Sequence, residues 1–131
     1  MTAASGVKNF FGGAPLRHWF AGRRVLVIGL GKSGVAAAGL LRRLGADVSV
    51  TEKRPRAAVG EWAPRLPAGV PLEVGGHRLL SSAWDLIVPS PGVPASLWEP
   101  FKKKGAAVWG EMELGYRAAV LAGRWPARSV A

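Results

Sequence analysis

Cysteine is absent from the 131 residues, which removes disulfides and thiolate metal sites and fits a reducing, cytoplasmic setting. No apolar run reaches the roughly 18 residues that a membrane-crossing helix requires, so no stable membrane insertion is expected. The segment from Val7 to Phe20 is interrupted by Asn9, Gly12, Gly13, Pro15, Arg17 and His18, a poor fit to a secretory leader. Acids are scarce: 8 Asp and Glu stand against 18 Lys and Arg, a net charge of +10. Such an excess favours anionic partners. The cations nevertheless fall on separate stretches, among them Arg23-Arg24, Arg42-Arg43, Lys53-Arg54 and Lys102 to Lys104, and read as a solvated basic surface. With no helix-turn-helix, zinc-finger or aromatic-basic sheet pattern, nucleic acid is not an expected partner. His18 and His77 lack companions at ligand spacing, so neither is expected to bind metal and His77 reads as a turn or surface histidine.

What the chain does contain is organised around Val25 to Gly34, VLVIGLGKSG. Val25 to Ile28 is an apolar run without alternation, the mark of a parallel strand buried on both faces. Gly29, Gly31 and Gly34 then stand in Gly-x-Gly-x-x-Gly spacing before a helical pattern. In such a turn one glycine makes the bend, one lets a phosphate approach bare backbone and one lets helix and strand pack closely. The unpaired amides and aligned peptide dipoles at a helix start attract an anion, and a diphosphate suits the spot. Asp47 to Thr51 follows as a second strand, ending in Glu52, a carboxylate placed to reach a ribose hydroxyl or base edge.

The helix between them is expected from Lys32 to about Leu44, with Ala37, Leu40, Leu41 and Leu44 toward the sheet and Gly45 ending it. Residues 56 to 71 read as an irregular connection, with a helical turn near Ala57 to Trp62. Leu72 to Val74 is a short third strand, and Asp85 to Val88 a fourth. The fourth runs into Pro89-Ser90-Pro91-Gly92-Val93-Pro94, a stiff loop able to bring backbone against a ligand. Ser96 is read as the cap of a helix to Lys104, followed by a fifth strand, Ala106 to Trp109, and a last helix from Gly110. The expected fold is therefore α/β: a Rossmann-like, doubly wound, mainly parallel five-stranded sheet with helices on both faces.

GLGKSG at 29 to 34, TEKR at 51 to 54, GGH at 75 to 77, DLIVPSPGVP at 85 to 94 and GEMEL at 110 to 114 together resemble one family. They are similar to the N-terminal domain of the ATP-dependent Mur ligases that join D-glutamate to UDP-N-acetylmuramoyl-L-alanine in peptidoglycan synthesis. The resemblance runs from about Arg23 to Arg117. It implies a Rossmann-like domain that grips the UDP of that substrate without nicotinamide. Gly31, Lys32, Ser33 and Gly34 would hold the diphosphate, Glu52, Lys53 and Arg54 would surround the uridine, and Gly92 would offer its backbone. Glu52-Lys53-Arg54 replaces the Asp-Thr-Arg of many relatives, keeping an acid and an arginine whose planar head can stack on or fork toward uracil.

Residues 1–22, with Phe10, Phe11, Trp19 and Phe20 among glycines, read as an extension that either folds back on the domain or lies against a partner; on the resemblance, the UDP-substrate-binding domain (23–122) and a linker entering a central ATP-binding domain (123–131) follow. The family's Gly-Thr-Asn-Gly-Lys-Thr/Ser phosphate loop does not occur. A fragment of a longer enzyme is thus expected, inactive alone and with no catalytic residue of its own; ATP, Mg and D-glutamate would engage the rest. Two alternatives remain: the domain of another Mur ligase, such as the L-alanine-adding one, or an NAD-binding dehydrogenase domain in which Glu52 accepts from the 2′-hydroxyl.

Overall fold

The computed structural model describes residues 19–121. The expectations for residues 1–18 and for the tail beyond 121 fall outside the described residues. Five parallel strands form one sheet: β1 (Arg24–Ile28), β2 (Asp47–Glu52), β3 (Leu72–Val74), β4 (Leu86–Pro89) and β5 (Ala107–Val108). Their spatial order is β3-β2-β1-β4-β5. The chain thus builds outward from β1 to one edge, returns, and builds to the other. This leaves a switch point between the carboxyl ends of β1 and β4, where α/β sheets bind ligands.

Alternation along the strands sorts the core into two layers. Val25 and Val27 of β1, with Leu86 and Val88 of β4, pack in one cluster with α1 (Lys32–Arg43) through Ala37, Ala38 and Leu41. Leu114 and Ala118 of α3 (Glu111–Leu121) join the same cluster. Leu26, Ile28 and Ile87 point the other way, toward Trp84, Trp98 and Phe101, the last on the short helix α2 (Glu99–Lys103). Helices therefore cover both faces, as the unbroken apolar strands require.

Two local features differ from the sequence reading. The helix expected from Ser96 is instead a 3-10 turn (Ala95–Leu97) followed by α2, and Ser96 caps nothing. Pro100 explains the break: its ring collides with a helical carbonyl four residues earlier and it lacks an amide hydrogen, so it fits the first turn of a fresh helix. The irregular stretch after β2 holds two 3-10 turns, Arg56–Val59 and Ala63–Arg65. Of the two alternatives left open for the extension, Trp19 and Phe20 take the first and pack on the domain. Phe20 is fully buried, and Trp19 stacks on Trp109 with ring centroids 4.9 Å apart.

Leu41→Ala is expected to cost about 2 to 5 kcal/mol in urea unfolding, because a fully buried side chain leaves a cavity between α1 and the sheet. Met112→Ala, at a position 89% exposed, is expected to stay within about 0.5 kcal/mol of the parent.

Candidate functional site

A cavity of about 670 Å³ opens at the switch point. Its walls come from the turn after β1, the exit of β2, His77 beyond β3, and the loop after β4. The turn is shaped by contacts at two glycines. Gly29 has φ +104°, and a β-carbon there would lie 2.8 Å from Ser90 Oγ. A β-carbon on Gly34 would collide with the Gly29 carbonyl oxygen, so Gly34 serves the packing of α1 onto β1. Gly31 is different. Its backbone is extended (φ −163°) and a β-carbon would meet nothing within 4 Å, so the protein's own packing does not require a glycine here.

The first intrahelical bond of α1 runs from the Val35 amide to the Gly31 carbonyl, at 3.0 Å. The amides of Lys32, Ser33 and Gly34 precede it and have no helical partner. No side chain caps this end and no acid lies in the first turn. An anion bound there would meet converging amides and the positive end of the helix dipole, with no carboxylate already in the way.

Opposite lies Glu52, only 4% exposed, whose carboxylate is thoroughly bonded. Oε1 accepts from the Leu30 amide at 2.8 Å and from Arg54 Nη2 at 3.2 Å. Oε2 accepts from the Arg54 amide at 2.8 Å and from Arg54 Nε at 2.9 Å. Arg54 Nη2 also donates to the Leu30 carbonyl at 2.7 Å, so the pair ties the first turn to the end of β2. Burial by itself pushes the Glu52 carboxyl up. The Arg54 hydrogen bond, the Leu30 and Arg54 amides and the Arg54 charge outweigh it and bring it down to about 2. The hydrogen bond to Glu52 and its charge in turn raise the Arg54 guanidinium.

The β4 loop closes the other side. Ser90 donates its amide to the Ile28 carbonyl at 2.9 Å, which pins the loop to the tip of β1. Gly92 has φ +89°, a backbone state that other residues adopt only under strain. Of the residues singled out from sequence, Gly31, Ser33, Glu52, Lys53, Arg54 and Gly92 all line the cavity. Lys32 and Gly34 do not line it, although their amides belong to the helix start. Ser90 and His77 line it too and were not picked out as site residues. For Ser90 the signal was available in its place between two prolines at a strand end. For His77 it was not, because the contact depends on how β3 delivers the following turn.

The sheet order and the cavity at its switch point define a Rossmann-like α/β domain. The chain belongs to the Mur ligase family of MurD-like N-terminal domains, whose family model matches residues 23–108. A UDP-N-acetylmuramoylalanine--D-glutamate ligase of Anaeromyxobacter dehalogenans is 48% identical over 99 residues, covering 73% of this chain and 21% of that protein. The same-named ligase of Myxococcus xanthus is 48% identical over 101 residues (73% and 22%), and that of Streptomyces coelicolor is 39% identical over 119 (82% and 24%). The chain thus spans about a fifth to a quarter of the length of these curated relatives. Among solved structures, shikimate dehydrogenase of Aquifex aeolicus shares the fold with a TM-score of 0.53 at 18% identity, covering 94% of this chain and 55% of that one.

Because the Glu52 carboxyl is lower in the folded than in the unfolded chain, its stabilisation is complete above about pH 5 and is lost as pH falls toward 2. The expected size is up to about 3 kcal/mol. Urea unfolding at pH 7 and pH 3 should show the loss, and Glu52→Gln should flatten it. A residual slope from Glu73, also held low, is expected in the variant.

Proposed function

We propose that this domain binds the UDP end of UDP-N-acetylmuramoyl-L-alanine at the switch-point cavity. The observation that carries this reading is the uncapped, acid-free start of α1 opening on a cavity also lined by Lys53 and Arg54. A diphosphate there receives amide hydrogen bonds and lies within a field of fixed positive charge. Gly31 explains itself on this reading, since the bare backbone it leaves is where a phosphate oxygen must approach. Lys53 and Arg54, at the exit of β2, lie where the uridine of a ligand so placed would extend. Arg54 is about half exposed and offers a planar face to uracil, while the Gly92 backbone borders the ligand across the cavity.

The names of the curated relatives support placing the domain in a longer ligase that joins D-glutamate to this substrate in peptidoglycan synthesis. ATP and Mg would act elsewhere in that enzyme. Among the described residues no group of three or more His, Asp and Glu could hold a metal ion, and the sequence has no phosphate loop, so no phosphoryl step is assigned to these residues. The role of the domain is to hold one end of the substrate while chemistry proceeds at the other, which trades binding energy for orientation.

Calorimetric titration tests the reading. UDP-N-acetylmuramoyl-L-alanine is expected to bind, UDP to bind more weakly, and NAD not at all; preference for NAD would overturn it. Gly31→Val is expected to abolish UDP binding while leaving the unfolding midpoint close to the parent's, since its side chain enters open space. Undiminished affinity in that variant would mean the phosphate lies elsewhere.

A further inference from the structure

His77 lines the cavity from the side of β3, and its Nδ1 lies 2.9 Å from the hydroxyl oxygen of Thr51. That hydroxyl is fully buried and has two other neighbours: Glu73 Oε1 at 3.0 Å and the Gly76 carbonyl oxygen at 3.0 Å. The carbonyl can only accept. The Glu73 carboxylate is likewise an acceptor, its oxygens also taking hydrogen bonds from the Leu79 and Arg78 amides, both at 2.8 Å.

The Thr51 hydroxyl carries one proton. Spent on His77, it would leave two acceptor oxygens 3.0 Å from a third oxygen with no hydrogen between them. Given instead to one of those oxygens, or shared between the two, it leaves a lone pair of Thr51 free to receive a hydrogen from the ring. Only His77 in this cluster can supply one. The neutral imidazole is therefore set with its hydrogen on Nδ1 and a bare lone pair on Nε2.

We propose that His77 Nε2 is a hydrogen-bond acceptor that reads a donor on the nucleoside, either the uracil N3–H or a ribose hydroxyl. This rests on the UDP-binding reading above. A diphosphate at the start of α1 directs the nucleoside toward the tips of β2 and β3, where His77 stands. The cationic groups on this side, Lys53 and Arg54, only donate, and the Glu52 carboxylate already takes four hydrogen bonds. Nε2 supplies the complementary function. Thr51 and Glu73 are the positioning residues that fix the tautomer, as the second partner of a ligand-binding histidine commonly does.

The test uses the full 131-residue chain. Long-range 1H–15N correlation at neutral pH should show Nδ1 of His77 protonated and Nε2 bare; a hydrogen on Nε2 would overturn the proposal. Titration with UDP, 2′-deoxy-UDP and N3-methyl-UDP then identifies the donor. The parent is expected to lose about 3- to 10-fold in affinity for the analogue lacking the partner hydrogen. His77→Phe should weaken UDP by a similar factor and erase that discrimination, while inorganic diphosphate binds both proteins alike. His77→Gln, which restores an acceptor oxygen, should recover part of it. Equal UDP affinity in parent and His77→Phe would sink the role of His77 and leave the UDP reading standing. Failure of the parent to bind UDP would remove both.

Discussion

The bond from the Leu30 amide to the buried Glu52 carboxylate is the constraint on which the site depends. A lone carboxylate at 4% exposure would be pushed toward its neutral form by desolvation. Here two backbone amides and a guanidinium outweigh that cost, and the Leu30 carbonyl anchors the guanidinium in turn. The result is a first turn held at both its N–H and its C=O by the end of the second strand. With the turn fixed, the amides that follow at the start of α1 are already in place beside the cavity, and on the proposed reading a ligand would not have to order them, which would reduce the cost of binding.

This gives the acid at the end of β2 a role in the architecture in addition to any contact with ligand. In a dinucleotide-binding domain such an acid is available to a ribose hydroxyl. Glu52 is instead largely spent on its own chain, so on the UDP-binding proposal recognition of the nucleoside would fall to groups around it: Lys53, the exposed part of Arg54, and His77 on the next strand's turn. The charge pattern is coherent with that division. The net charge of +10 includes Lys53 and Arg54 beside the cavity, and the one acid on its wall is neutralised by a direct partner.

Much of this was legible in the sequence because the governing signals are local. A short, β-branched Val-Leu-Val-Ile run that stops at glycine reads as a strand buried on both faces, and three glycines at fixed spacing announce the turn and the helix beyond. What escaped had non-local causes. Whether Phe20 lies on the domain or against a partner stays open in the sequence until Trp109, 89 positions later, supplies the surface it packs against. The break before α2 was readable in Pro100 but was outweighed by a cap-like Ser96. His77 looked like a surface residue because the Thr51 hydroxyl that orients it lies across a strand pair. The bonding of Glu52 was hidden for the same reason: sequence shows an acid at a strand end but not which donors fold back onto it.

The most direct measurement of where the diphosphate lies is the amide spectrum of the 15N-labelled chain during addition of UDP. The largest shifts are expected at Lys32, Ser33 and Gly34, with smaller ones at Gly92 and around Lys53 and His77. Saturable binding that leaves the three helix-start amides unmoved would contradict the claim that the backbone at the mouth of α1 grips the phosphates.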